Sequence, residues 1–234
     1  MYDVVISIIS HGQQELVNRL ILSFNKHLVL DGVKLKIVVV ENLLPHISLV
    51  QSQFDIDMLI NLRVKGFGPN HNAVFERYSP RLFFIVNPDI LLDSEFSVGA
   101  LFRRFKDENF DIASPFVFGP TGVLEDFRRI TPTPFALIRR KLGFASISEN
   151  FTWLAGMFLI VSGASFFKLR GFDPKYFMYV EDCDLCLRAR SLSLDIVVLE
   201  DFRVIHEAQR TSRKNFRYLF WHLRSLFILW FSLR

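Results

Sequence analysis

The sequence is poor in cysteine and in charge, and it has no hydrophobic run long enough to cross a membrane. Two cysteines in 234 residues exclude a disulfide-stapled scaffold and favour a reducing compartment. Charged residues make up only 22% of the chain and hydrophobic residues 50%, which excludes a disordered protein. The uncharged stretch over residues 151–167 is shorter than the roughly 20 residues of a spanning helix, and Gly156 and Gly163 interrupt it. We predict a folded protein with neither a spanning helix nor a signal peptide.

The C-terminal segment, residues 208–234, has no acidic residue at all. It combines six basic residues with many Phe, Leu and Trp side chains, in a chain whose formal net charge is +4 and whose mean hydropathy is +0.27. Such a helix is typical of the interface of an anionic membrane. Packing on the domain or on a second subunit, and nucleic-acid binding, are the alternatives. We favour the membrane and predict no nucleic-acid partner, because the apolar content exceeds what a nucleic-acid face requires.

Apolar, β-branched runs alternate with amphipathic segments in the first half of the chain. The runs at residues 4–9, 35–40 and 82–86 predict strands buried on both faces of a parallel sheet. Residues 13–27 have helical spacing, so the order predicts βαβ units in an open α/β sheet. Ligands bind such sheets beyond the carboxyl ends of the strands. Candidate site residues therefore follow strands directly, at 10–12, 41–42 and 87–89.

The remaining elements are less regular. We predict a strand at 57–62, a helix at 70–78 after a glycine-containing turn, a helix at 94–105 and a strand at 111–117. Residues 119–150 have no clear period and predict a long loop. Residues 151–167 predict a buried strand that leads into a helix. Two short strands near 196–199 and 202–205 and a final helix from about residue 212 complete the expected order.

Asp89 and His206 are candidate ligands of a divalent cation. Each follows or ends an apolar strand, and carboxylate and imidazole together suit Mg²⁺ or Mn²⁺ next to a diphosphate. The alternative for Asp89 is a turn, because Asn-Pro-Asp is common turn chemistry. The alternative for His206 is a purely structural histidine.

Three acids in four residues, Glu181, Asp182 and Asp184, open a predicted helix directly after an apolar aromatic run. Acids in a first helical turn are ordinary. A carboxylate at the border of a buried segment can also act as a general base. Burial would raise its pKa and the helix terminus would lower it, and the sequence does not show which of the two effects is larger. Cys183 and Cys186 form a single C-x-x-C with no second pair, so we interpret them as buried small residues of the helix.

Together these segments resemble the family 2 glycosyltransferases with a GT-A fold, specifically the bacterial O-antigen rhamnosyltransferases. The resemblance is carried by WLAGMFLIVSGASFFKLRGFDPKYFMYVEDCDLCLRAR at 153–190, by His206, by residues 212–226, and by GFGPNHN at 66–72 and FFIVNPDI at 83–90. It implies a mixed, mostly parallel sheet flanked by helices with a C-terminal amphipathic helix. The implied domain spans 1–211, with a nucleotide-sugar half at 1–118 and an acceptor and catalytic half at 119–211. Residues 212–234 are the implied membrane-associating helix.

The resemblance also assigns roles to individual positions. Asp182 is the implied catalytic base and Glu181 its acidic neighbour, while Asp89 and His206 are the implied ligands of a Mg²⁺ or Mn²⁺ cofactor. Trp153 and Gly156 line the implied sugar or acceptor pocket. Asn87 and Glu41 stand where aspartate is commoner in the family. The implied donor-binding residues are Ser10, Glu41, Gly66, Asn72, Asn87 and Arg210 or Arg213.

The implied reaction is inverting transfer of L-rhamnose from dTDP-β-L-rhamnose to a polyprenyl-diphosphate-linked sugar, in O-antigen or other surface polysaccharide synthesis. The implied location is peripheral, on the cytoplasmic face of the bacterial inner membrane. Two alternatives remain at this stage. One keeps the mechanism with another donor, such as UDP-galactofuranose or UDP-glucose, and the other is a non-catalytic, membrane-associated adaptor that binds nucleotide sugar.

Overall fold

The computed structural model describes residues 2–43, 48–134, 151–207 and 216–232. Its strands are β1 (Val4–Ser10), β2 (Leu28–Val29), β3 (Leu35–Glu41), β4 (Ile56–Ile60), β5 (Leu82–Val86), β6 (Ile90–Leu91), β7 (Phe96–Ser97), β8 (Ile112–Phe118), β9 (Arg128–Arg129), β10 (Trp153–Leu154), β11 (Phe158–Ser162) and β12 (Ile196–His206). Its helices are α1 (Gln14–His27), α2 (Phe67–Tyr78), α3 (Val98–Glu108), α4 (Gly163–Lys168), α5 (Glu181–Ser191) and α6 (Phe216–Ser232).

The main sheet has the strand order β4-β3-β1-β5-β11-β8-β12-β6. The strands β4, β3, β1 and β5 are mutually parallel, and β8 and β12 run in the same direction as these four. Only β11 and β6 run the opposite way among these eight strands. The predicted α/β class, with a mostly parallel sheet flanked by helices and a C-terminal helix, is confirmed.

Strands β1, β3 and β5 are buried along their whole length, as their continuous apolar runs predicted. Phenylalanines fill the layer between β5 and the helices that cover it. Phe75 of α2, Phe83 of β5, Phe166 of α4 and Phe172 contact one another with ring centroids 4.7–5.7 Å apart. Each such aromatic pair contributes about 0.5–1.5 kcal/mol beyond its area burial. This layer fixes the first half of the chain against the second.

Three boundaries differ from the sequence-based expectation. The two short strands expected near 196–199 and 202–205 are one continuous strand, β12. Its register with β8 shifts between Leu199 and Arg203, and this irregularity accommodates the exposed residues between them. Helix α2 begins at Phe67 rather than residue 70, since Pro69 is tolerated in a first turn. Helix α3 begins at Val98 because the Ser97 side chain accepts a hydrogen bond from the Ala100 N–H.

Helix α6 packs on the domain through one face only. Its residues Ser225, Leu226 and Leu229 are buried, and the Trp230 indole N–H donates to the carbonyl oxygen of Pro132 over 2.7 Å. No helix in the described part of the chain is both long enough and apolar enough to cross a membrane. The opposite face forms an exposed apolar stripe, which consists of Leu219, Phe220, Leu223, Phe227 and Phe231.

Gly66, at the N-terminus of α2, is required by a close approach of the chain. The Phe67 N–H donates to the Phe177 carbonyl oxygen over 3.0 Å, and a β-carbon on Gly66 would lie 2.5 Å from that same oxygen. We expect Gly66→Ala to lower the free energy of unfolding by about 2 kcal/mol, because backbone must move to accept the methyl group. For a domain of this size that corresponds to a fall in Tm of about 5 °C, measured by thermal unfolding.

Gly119→Ala is the matched control. The nearest atom to its added β-carbon is the flexible end of Glu125 at 3.1 Å, which can swing away. Equal Tm values for the two variants would contradict the close approach at Gly66.

Candidate active site

Ser10 and Glu41 lie side by side at the carboxyl ends of β1 and β3. They are direct partners in the parallel register of these strands, and both are buried. The Ser10 hydroxyl oxygen accepts a hydrogen bond from the Gln13 N–H over 3.1 Å, which fixes the turn into α1. The structure thus brings together two of the predicted donor-binding residues.

Three asparagine amides surround this strand edge. The Asn61 side-chain N–H₂ donates to Oδ1 of Asn42 over 2.8 Å and to Oδ1 of Asn70 over 2.6 Å. The Asn42 side-chain N–H₂ donates to the Lys65 carbonyl oxygen over 2.8 Å. Together they hold loop 61–66 against β3 and β4. Asn70 lies in the GFGPNHN segment at 66–72, whereas Asn61 was not predicted, although it directly follows β4 and obeys the same strand-end rule.

Asn72 braces two parts of the fold. Its side-chain N–H₂ donates to the Phe172 carbonyl oxygen over 2.8 Å, and its Oδ1 accepts from the Phe172 N–H over 2.9 Å. Both polar ends of the amide are therefore engaged with backbone in this structure. Its contact with the donor stays a prediction, as does that of Gly66. Arg210 and Arg213 lie outside the described residues.

Asp89 and His206 meet where β5 ends and β12 ends. Oδ2 of Asp89 lies 3.3 Å from Nε2 of His206, and both side chains are largely buried. Oδ1 of Asp89 and Nδ1 of His206 are buried and have no hydrogen-bond partner among the residues that the structure describes. Buried polar atoms are normally satisfied, so these two atoms suit a bound ligand.

A carboxylate and an imidazole at this spacing are suitable ligands for a divalent cation. No group of three or more His, Cys, Asp or Glu side chains that could hold a metal ion occurs within the described ranges. A cation at Asp89 and His206 would therefore take most of its ligands from substrate oxygens or water. Asn87 shapes the turn just before this pair, because its N–H donates to the Met157 carbonyl oxygen over 3.0 Å.

Asp182 is fixed by two backbone donors. The Gly156 N–H donates to its Oδ2 over 2.7 Å, and the Cys183 N–H donates to its Oδ1 over 2.8 Å. A β-carbon on Gly156 would lie 3.3 Å from Oδ2, so glycine allows this approach. Burial raises the pKa of the Asp182 carboxyl, while the two N–H groups and Arg129 partly oppose that rise. The residue as a whole is half-buried.

Glu181, next to it, is in a different environment. Its side chain is buried, and its Oε2 has no hydrogen-bond partner within the described ranges. Burial, and then the negative charge of Asp182, raise the pKa of Glu181 to about 8. At Glu181 burial raises the pKa by more than the backbone hydrogen bonds lower it. The two adjacent carboxyls titrate as a pair, with Glu181 holding its proton near neutral pH.

Arg129 acts electrostatically on Asp182 and lies against Trp153. They are partners in the β9–β10 ladder, and the Arg129 guanidinium lies 5.2 Å from the Trp153 ring centroid. The Trp153 indole N–H donates to the Ile130 carbonyl oxygen over 2.9 Å, which fixes the ring. The sequence analysis placed Trp153 in the pocket and gave Arg129 no role, because a ladder of two residues leaves no period in the sequence.

One segment joins the two parts of the site. Gly156 contacts Asp182, and Met157, the next residue, contacts Asn87, two residues before Asp89. The carboxylate of α5 and the strand-end turn of β5 are thus linked through consecutive residues. The side chains of Cys183 and Cys186 are buried free thiols, and burial raises the pKa of Cys186 to about 12, so only the Cys183 backbone N–H contacts Asp182.

This geometry agrees with a comparison over the whole chain. No family model matches it. Rhamnosyltransferase WbbL of Escherichia coli K12 is 31% identical over 253 residues, which cover 96% of this chain and 91% of that protein. The chain belongs to the family 2 glycosyltransferases. The resemblance to O-antigen rhamnosyltransferases is confirmed, and the protein is an enzyme of the glycosyltransferase class. The N-acetylglucosaminyl-diphospho-decaprenol L-rhamnosyltransferase of Mycobacterium tuberculosis is 36% identical over 77 residues, 32% of this chain and 25% of that protein.

Solved structures confirm the GT-A fold of the glycosyltransferase. A mannosyltransferase of Pyrobaculum calidifontis, in complex with GDP-Man and Mn²⁺, matches 95% of this chain with a TM-score of 0.60 and 11% identity. GalNAc-T7 with UDP, GalNAc and Mn²⁺ matches 89% with a TM-score of 0.63 and 11% identity. TarS of S. aureus matches 88% with a TM-score of 0.62 and 14% identity. The chain spans 60%, 44% and 36% of these three proteins.

The buried carboxyl of Glu181 predicts a pH dependence of stability. Its pKa is higher in the folded state, so the native protein holds this proton over a range in which the unfolded chain has lost it. That contribution is complete below the ordinary pKa of glutamate and is lost as pH rises through about 8. We expect Glu181→Gln to have a higher Tm than the wild type at pH 8.5 and a similar Tm at pH 5.

The control is Glu200→Gln, the same change at an exposed position on β12. Thermal unfolding of the three proteins from pH 5 to 9 provides the measurement. A Glu181→Gln curve parallel to that of the wild type would mean that Glu181 is ionised throughout this range.

Proposed function

We propose that this glycosyltransferase moves L-rhamnose from dTDP-β-L-rhamnose to a polyprenyl-diphosphate-linked sugar, in O-antigen or other surface polysaccharide synthesis, with Asp182 as general base. The observation that carries the reaction class is the carboxylate of the half-buried residue Asp182, fixed by the N–H groups of Gly156 and Cys183. The choice of sugar is supported by the two relatives named as rhamnosyltransferases. The acceptor class is supported by the mycobacterial name, which specifies an N-acetylglucosaminyl-diphospho-decaprenol.

Asp182 accepts the proton of the acceptor hydroxyl as its oxygen attacks the anomeric carbon of the donor. The bond from that carbon to the diphosphate breaks, and the diphosphate leaves with the electron pair. A single displacement inverts the configuration, so a β-linked donor yields an α-rhamnoside. Because its two N–H donors hold the carboxylate, little reorganisation is needed during proton transfer. Glu181 remains protonated near neutral pH, which limits the negative charge next to the base.

The leaving diphosphate needs positive charge. Asp89 and His206 would hold a divalent cation, Mg²⁺ or Mn²⁺, and two structural neighbours contain Mn²⁺. When bound, such an ion neutralises charge on a leaving diphosphate. In this proposal the half at 1–118 supplies Ser10, Glu41 and the strand-end turns to the donor, with Gly66, Asn72 and Asn87. The half at 119–211 supplies the base, the pocket residues Trp153 and Gly156, and Arg210 or Arg213.

The exposed apolar stripe of α6 supports a membrane-bound location, which we propose is peripheral, on the cytoplasmic face of the bacterial inner membrane. Its Leu and Phe side chains are exposed on the face of α6 opposite the buried one, and Arg224 lies next to them. Apolar side chains next to a cation are typical of helices that lie in an anionic interface. A lipid-linked acceptor and the enzyme would then meet on the same surface.

A donor panel tests the reaction. Purified protein is incubated with an N-acetylglucosaminyl-diphosphate lipid, Mg²⁺ or Mn²⁺, and dTDP-rhamnose, UDP-galactofuranose or UDP-glucose in turn. Of the three donors, we expect only dTDP-rhamnose to add one deoxyhexose to the acceptor. The gain in mass is measured by mass spectrometry. Asp182→Asn should lower kcat by about 10²–10⁴-fold, because an amide cannot accept the proton. Removing the cation with a chelator should also stop transfer.

Asp201→Asn, the same change at an exposed position of β12, is the control and should retain activity. Transfer from a UDP-linked donor would refute the assignment of rhamnose as the donor sugar and leave the general-base mechanism unchanged. Full activity of the Asp182→Asn variant would refute the role of Asp182 as general base. Binding of donor without any transfer would favour the adaptor.

Vesicle binding tests the stripe. The combined variant Phe220→Ser, Phe227→Ser and Phe231→Ser removes three exposed rings from α6. Burying a phenylalanine side chain contributes about 1.5–3 kcal/mol, so we expect binding to phosphatidylglycerol-containing vesicles to fall at least tenfold in a sedimentation assay. The matched control changes Leu62, Val64 and Phe167, exposed apolar residues outside α6, to serine. An equal loss in both variants would argue against a specific role of α6.

A further inference from the structure

The turn that leads into α5 has an unfavourable backbone conformation. Tyr179 and Val180 both have positive φ angles, 69° and 73°, and Val180 is the residue that caps α5. The left-handed region is costly for residues other than glycine, and especially for a β-branched one such as valine. Such a turn persists only when its surroundings hold it. Because Glu181 and Asp182 follow it directly, whatever holds the turn also positions the carboxylate.

Helix α6 contacts this turn at three consecutive residues. The Trp221 ring lies 4.8 Å from that of Phe177, the Ser225 hydroxyl donates to the Met178 carbonyl oxygen over 2.9 Å, and the His222 ring lies 5.2 Å from that of Tyr179. Ser225 is 1% exposed, so its hydrogen bond is shielded from water. Upstream, the Arg224 guanidinium donates to the Lys175 carbonyl oxygen over 3.3 Å.

The opposite side of the turn is held by the domain itself. The Phe67 N–H of α2 donates to the Phe177 carbonyl oxygen, and the Tyr176 hydroxyl donates to Oδ1 of Asp184 on α5 over 3.2 Å. The segment 175–180 is therefore clamped between the domain and α6. The contacts of α6 are made closest to the two left-handed residues.

We propose that Ser225 and His222 are positioning residues for the reaction, since they hold the turn at Tyr179 and Val180 and thereby keep the Asp182 carboxylate against the Gly156 N–H. This inference rests on the proposed role of Asp182 as base. Neither side chain touches the reacting atoms. Ser225 fixes the turn through the backbone of Met178, and His222 fixes it through the ring of Tyr179.

The test compares Ser225→Ala with Ser191→Ala, the same change on α5, where the hydroxyl donates to the Arg188 carbonyl oxygen. We expect kcat to fall about ten- to a hundredfold in Ser225→Ala, because small misplacements of a catalytic group are costly. The acidic limb of the pH–kcat profile should move to lower pH, since a looser turn admits water and relieves the burial that raises the pKa of Asp182. Glu181 on α5 and Arg129 on β9 also act on this carboxyl and are unchanged in both variants.

Ser225→Thr keeps the hydroxyl and should restore most of the activity. His222 is exposed, so His222→Ala tests the same turn without risk to folding, and His222→Phe should preserve the ring contact. A fall in Tm with an unmoved pH limb in both Ser225→Ala and His222→Ala would mean that α6 only stabilises the domain, and would overturn the proposal.

A measurement without substrate separates this inference from the proposed function. Hydrogen–deuterium exchange of the amides at 178–184 should be faster in Ser225→Ala and His222→Ala than in the wild type or Ser191→Ala. Unchanged exchange would overturn the positioning role whatever the activity. If exchange is faster but Asp182→Asn is fully active, the contact between α6 and the turn is supported. The role of Asp182 as general base is then refuted.

Discussion

Strand β5 pairs with β1 in parallel on one side and with β11 in the opposite direction on the other. This reversal brings the start of β11 next to the end of β5, with Val86 opposite Phe158. As a result Asn87 lies beside Met157, and Gly156, the residue before Met157, fixes Asp182. This single change of strand direction links the strand-end turn of the first half of the chain to the acidic helix of the second half.

Within that site, two neighbouring carboxyls have different surroundings and can therefore act differently. Asp182 is half-buried and accepts two backbone N–H hydrogen bonds, whereas Glu181 is buried and one of its oxygens has no partner in the described part of the chain. Burial raises the pKa of both, and the rise to about 8 at Glu181 keeps that carboxyl neutral under ordinary conditions. A base next to a neutral acid keeps its own charge at less cost than a base next to a second anion.

Much of this arrangement could be predicted from the sequence. The runs that became β1, β3 and β5 are buried on both faces, so their composition alone indicates them, and the strand-end rule located Ser10, Glu41 and Asn87. The pairing of Asp89 with His206 was predicted from their positions at strand ends and from the chemistry of cation ligands, and the family resemblance implied the same pair. The place of Arg129 could not be predicted, because β9 and β10 are too short to have a period. The role of Ser225 depends on where α6 docks, which its amphipathic sequence does not encode.

The docking of α6 has a consequence for the order in which the enzyme is assembled. The ribosome makes α6 after every strand of the sheet and after α5 itself. A nascent chain can therefore complete its sheet while Leu226 and Leu229 of α6 have not yet joined the core and the turn at Tyr179 and Val180 still lacks one side of its support. In our proposals, the helix that then docks supplies both the support of the Asp182 turn and the apolar face suited to a lipid surface. Base geometry and membrane attachment would then be acquired in the same folding step.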